Sequence, residues 1–285
     1  MGFDEFCKKC FNLAQQKTVE QYGEEKLMLI DNNVYGGKCI MLKTVERCAP
    51  TINIYALWEE FRRGELRTVN DAADEVVRVL TCEQSIPEEV TELLRDIETG
   101  RVNKSHVVGK LCNPANFLNL GNVVHRGFLD LIIVPYLEWG DQYKVALTQQ
   151  MLAYLDWSES EVFDAVEKDI GDYVIQNISV ILQGFGIGIE DEIPMMYLGH
   201  KNERGFGAVV MTNKTALHEA AKAMKCEKII ILPSSVFEVL LVPEDLGLQA
   251  ANDMVRQCND EVLSYKDILS GHAYVFDAAT DSFSQ

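Results

Sequence analysis

Apolar residues recur along the chain in two periods, and the switches between them predict its elements. Over 3–22, Phe3, Phe6, Cys7, Cys10, Leu13 and Ala14 fall three and four residues apart, the spacing of one helix face. Leu27-Met28-Leu29-Ile30 and Cys39-Ile40-Met41-Leu42 predict paired strands around the turn formers Asp31-Asn32-Asn33 and Gly36-Gly37, and Thr51–Ile54 a third strand. Helices are predicted at 56–64 and 69–82, and a further start at Ser85, with Pro87 in the first turn and Glu88 three residues on from the serine. Phe128–Leu137 predicts a buried strand in which Pro135, lacking an N–H, belongs at an edge or bulge. Ser158 and Glu161 form a capping box that opens a helix through Val162, Val166 and Ile170.

Ile178–Leu182 is strand-like, and 184–207 reads as a glycine- and acid-rich loop or linker. Beyond it the pattern predicts strands at Ala208–Met211, Ile229–Leu232, Val236–Val242 and 272–276, with helices after Asn213 and at 245–258. Helices mixed with hairpins predict an α+β fold of mixed, largely antiparallel sheets with helices packed on them. The expected organisation is an N-terminal α+β region at 1–183, the loop at 184–207 and a C-terminal α+β unit at 208–285.

Charge narrows the partners. Lys plus Arg is 26, Asp plus Glu is 44, and the net charge is −18. Residues 51–100 carry 12 acids against 5 bases, and 151–200 carry 10 against 1, net −7 and −9. Nucleic acid and anionic membrane surfaces are therefore disfavoured partners. Acids at 59–98 and 156–192 on one continuous face would instead suit a decoy that imitates nucleic acid. No apolar run is long enough to cross a bilayer. The start Met1–Phe6 has neither a secretory pattern nor, with Phe6 in place of Ser or Thr, a myristoylation signal. Eight scattered cysteines point to free thiols in a reducing cytoplasm.

Three stretches carry a resemblance. His125-Arg126-Gly127-Phe128-Leu129-Asp130-Leu131, Thr212-Asn213-Lys214 and Ile231-Leu232-Pro233-Ser234-Ser235-Val236-Phe237-Glu238-Val239 resemble, in order and spacing, an uncharacterised bacterial family, domain of unknown function 5688. The tail Val262-Leu263-Ser264 with Tyr274–Asp277 matches too. The family pattern has a histidine where this chain has Phe237. The resemblance implies a soluble bacterial protein and no particular activity.

Candidate chemistry is sparse. Cys7-Lys8-Lys9-Cys10 is a lone CxxC on an apolar helix face; zinc sites want a second ligand pair, so no metal is expected and Cys7 and Cys10 are the weak candidates. Gly184-Phe185-Gly186-Ile187-Gly188 is followed by acids and Pro194 rather than a helix start, so no nucleotide or other cofactor is expected. Asp130 and Glu238 each stand in an apolar run, where a carboxylate finds a partner or shifts its pKa upward. With His125 and Ser234 or Ser235 they make a candidate hydrolase site, which requires convergence in one pocket. The leading expectation is a non-catalytic cytoplasmic protein acting by protein–protein interaction or regulation, and that reading requires an exposed apolar patch or an uncovered sheet edge.

Overall fold

The computed structural model describes residues 1–31, 38–43, 51–81, 88–117, 120–139, 143–188, 193–201, 206–263 and 267–285. The expected turn formers Asn32, Asn33, Gly36 and Gly37 and the cap expected at Ser85 lie outside the residues so described. The chain divides into two compact units, one of 1–95 with 117–122 and the other of 96–116 with 123–285.

In the first unit, helix α1 (Phe3–Tyr22) turns Phe6, Cys7, Cys10, Ala14 and Thr18 inward. Gly23, in the left-handed region at φ 76°, ends it by returning its N–H to Val19 O. Strands β1 (Leu27–Asp31), β2 (Lys38–Leu42) and β3 (Thr51–Asn53) form an antiparallel sheet in chain order. Asn53 then caps α2 (Ile54–Arg62) by accepting the Tyr55 N–H. Helix α3 (Val69–Thr81) lays Ala72, Ala73, Val76 and Leu80 into the same core as Phe6, Ile40 and Leu57. Helix α4 (Glu88–Glu98) leads out of the unit.

The second unit holds two antiparallel sheets with helices on them, an α+β fold. In the first sheet β4 (Val107–Cys112), β5 (Arg126–Phe128) and β7 (Tyr143–Ala146) all pair with β6 (Leu131–Trp139). β4 lies on one side of β6, while β5 and β7 follow one another on the other side. Pro135 is thus in a central strand rather than at an edge. Its carbonyl accepts from Leu147 on the β7 side, so its missing N–H falls in the gap where β5 has ended and β7 has not begun. No ladder bond is lost there, which is why the strand tolerates the proline.

Helices α5 (Gln149–Leu155) and α6 (Glu159–Asp169) come next, the latter opened by the Ser158–Glu161 capping box. The second sheet takes in β8 (Tyr173–Asn177), β9 (Met196–His200), β10 (Lys228–Leu232), β11 (Glu238–Pro243), β12 (Tyr274–Asp277) and β13 (Ser282–Ser284), in the order β13-β12-β10-β11-β9-β8. Helix α7 (Ile178–Gly184) follows β8, α8 (Lys214–Met224) precedes β10, and α9 (Leu248–Glu261) follows β11.

Three further local expectations change. Ile178–Leu182 is helix rather than strand, because Asn177 caps it by accepting the Ser179 N–H. Ala208–Met211 belongs to a 3-10 helix, Gly207–Thr212, whose Gly207–Met211 are fully buried. An apolar run of that length fits a buried strand and a buried helical turn equally well by periodicity. The stretch 184–207, read from sequence as loop, carries β9, which pairs with β8 on one side and β11 on the other. Among the described residues no helix is long and apolar enough to cross a membrane.

Candidate functional site

The sequence candidates fall into separate places. Asp130 is exposed, not embedded among apolar side chains: with Leu129 it makes the two-residue turn between β5 and β6, and Phe128 pairs directly with Leu131. Leu129 takes φ 55°, an unusual conformation for a non-glycine residue and one with no sequence signal. The Tyr274 hydroxyl donates to Asp130 Oδ1 at 2.7 Å and the Gln285 amide does so at 3.2 Å. His272 Nε2 stands 3.7 Å from Asp130 Oδ2, and its Nδ1 is 3.0 Å from Ser270 Oγ. Burial, and then the hydrogen bond to Asp130, push the Tyr274 phenol up. This is a Ser–His–Asp sequence of contacts, but Ser270 is only 2% exposed, which closes its hydroxyl to a substrate.

Glu238 opens β11 at the other end of a tight loop. Its Oε1 accepts from Ser234 Oγ at 2.8 Å and Ser235 Oγ at 3.0 Å. Ser235 Oγ in turn accepts the Phe237 N–H at 3.0 Å. Both hydroxyls are committed to the carboxylate, and the group fastens the loop to the strand. His125 turns its Nδ1 to the Val123 carbonyl at 2.8 Å. Thus the structure brings Ser234, Ser235 and Glu238 together, takes Asp130 to His272 instead of His125, and joins the two groups by no hydrogen bond among the described residues.

Cys7 and Cys10 face the core of the first unit. Burial raises both thiols, Cys10 to about 12. Among the described residues no group of three His, Cys, Asp or Glu side chains is placed to hold a metal. A thiolate is the nucleophile in alkylation, so both cysteines should resist iodoacetamide in the native protein at pH 8 and react once it is unfolded. Mass-spectrometric mapping of native labelling at either position would contradict this burial.

The feature that sequence reading missed is the outer edge of β8. Ile178 N–H bonds to Met195 O, and Lys201 N–H to Asp172 O, which sets the phase of the β8–β9 ladder. Residues 174 and 176 therefore bond toward β9, while the N–H and C=O groups of Tyr173 and Ile175 point the other way. Those four groups take no partner among the described residues. Native edge strands are usually blunted by Lys, Pro or a bulge. Tyr173-Val174-Ile175-Gln176-Asn177 has no Lys or Pro and pairs without a bulge. Directly after it, α7 and its end expose Val180 (51%), Phe185 (81%) and Ile187 (50%).

Fold and edge together define an α+β protein whose larger sheet ends in an unblunted strand beside exposed apolar side chains. The chain belongs to the family described as Family of unknown function (DUF5688), whose model matches residues 3–278. No curated protein and no solved structure matches it.

Proposed function

We propose that the protein acts by recognising another protein, taking an extended segment of it as an added strand along β8. The observation that carries this reading is the backbone of Tyr173 and Ile175 at the end of the six-stranded sheet, unpaired among the described residues. Strand addition draws affinity from such main-chain groups and specificity from alternate side chains. Val180, Phe185 and Ile187 supply apolar area next to the edge. The net charge of −18 favours a basic occupant: a segment in which Lys or Arg alternates with apolar residues. The same charge opposes pairing of two β8 edges between copies of this chain. We read its compartment as a reducing cytoplasm, supported by the free thiols of Cys7, Cys10, Cys112, Cys226 and Cys258.

Ile175→Pro is the discriminating variant. Its N–H points away from β9, so proline removes a docking donor without breaking the β8–β9 ladder. The probe is a capped peptide of alternating lysine and valine, with a glutamate–valine peptide as control. The lysine peptide should shift the amide NMR signals of β8, with an affinity that falls as salt rises. Ile175→Pro should weaken it at least about tenfold, a change of about 1.4 kcal/mol. Unmoved β8 signals, equal binding by the variant, or concentration-dependent dimerisation through β8 would each overturn the proposal.

A further inference from the structure

A cavity of about 480 Å³ opens in the second unit between the turn at Lys104–His106, the last turn of α6 and the end of β9. Val107 and Ala165 give it apolar wall. Its acids are already engaged. Asp169 places Oδ1 3.1 Å from His200 Nε2 and accepts the Gly109 N–H on Oδ2 at 3.3 Å. Asp172 lies 3.8 Å from Lys201. Lys104, on the rim, is paired with Glu161.

Three donors in the same cavity are not engaged. Lys168, the one base of residues 151–200, has no acid within ion-pair reach among the described residues. Asn103 uses its Oδ1 to accept the Ser105 N–H, leaving its Nδ2 without a partner among the described residues. Ser105 Oγ likewise has none. Lys104 is paired with Glu161 and His200 with Asp169, so Lys168 is the lining base with no acid within ion-pair reach among the described residues.

We infer that this cavity binds a small monocarboxylate, held by Lys168 with Asn103 and Ser105 donating to its oxygens and Val107 and Ala165 against its apolar body. Charge matching sets the class. One free ammonium balances a carboxylate, whereas a phosphate monoester at neutral pH carries close to two charges and leaves one unopposed. An organic cation meets no uncommitted acid. This site is independent of the β8 edge, and neither stands on the other.

Butyrate is the probe, with n-butanol, butylammonium and methyl phosphate as controls. Titration followed by amide NMR should give a saturable shift at Ser105 and at Lys168 with butyrate, and weaker shifts with each control. Lys168→Gln removes the charge from an exposed helix position and should weaken butyrate binding at least about tenfold. Lys168→Arg, which keeps the charge, should stay within about threefold of the parent protein. Equal response to butanol, tighter binding of methyl phosphate, or unchanged affinity in Lys168→Gln would overturn the assignment.

Discussion

Gly207→Ala should lower the unfolding free energy by about 3 kcal/mol, the upper end of what overpacking costs. A Cβ at this position would collide with the Phe237 carbonyl oxygen and stand 2.8 Å from the His200 backbone nitrogen and 3.1 Å from the Gly199 Cα. Every one of these is backbone, so no side chain can rotate away. The reason is space: Gly207 has no left-handed φ that would itself demand glycine. The buried 3-10 helix it begins must pass against β9 and the start of β11, and relief requires moving one of them. Denaturant unfolding checks this, and a variant within about 1 kcal/mol of the parent would show that the approach is looser than described.

Asp169→Ala should cost about 3 kcal/mol at pH 5, the scale of removing one partner of a buried charged pair. His200 is 5% exposed and Asp169 10%, so solvent screens their contact little. The carboxylate does two further things, since it accepts the Gly109 N–H and belongs to the residue whose own carbonyl lies 3.1 Å from His200 Nε2. That carbonyl is at the last turn of α6, where a positive charge is favoured. The hydrogen bond that His200 donates to Asp169 raises the His200 pKa above 6.5, against the opposing effect of burial, and Asp172 adds to the rise. A raised folded pKa means that the folded state holds the proton more tightly than the unfolded one. The stabilisation is therefore complete below about 6.5 and is lost as pH rises through the folded value. Asp169→Asn should flatten this part of the stability–pH curve while keeping an acceptor for Gly109. An unchanged slope between pH 6 and 9 would remove His200 as its origin.

What could be read from sequence was local. The capping box at Ser158 and Glu161 opens α6 in the structure, because both partners lie within one turn. The contact of Ser234 and Ser235 with Glu238 spans three and four residues and was within reach of the same reasoning. The spacing of Ala72, Val76 and Leu80 on α3 likewise survives as a buried face. Where competing local signals were equal, the outcome was open. Ile178–Leu182 had apolar residues suited to a strand, and one asparagine cap turned them into a helix. Phe128–Leu137 looked continuous because a leucine, not Gly or Asn, occupies the turn at positive φ. The edge position of β8 was out of reach altogether. Whether Tyr173 and Ile175 are paired depends on which strands exist elsewhere in the chain, and His200 meets Asp169 across 31 residues of sequence.

The hydrogen bond from Tyr274 to Asp130 spans 144 positions. A ribosome therefore completes the β5–β6 turn long before the tyrosine that secures it has been made. During synthesis the strained Leu129 must be held by its own strands or stay unsettled until Tyr274 arrives. A nascent chain released before Tyr274 would carry that hairpin without its clasp, so the order of manufacture is built into how firmly the older sheet is held.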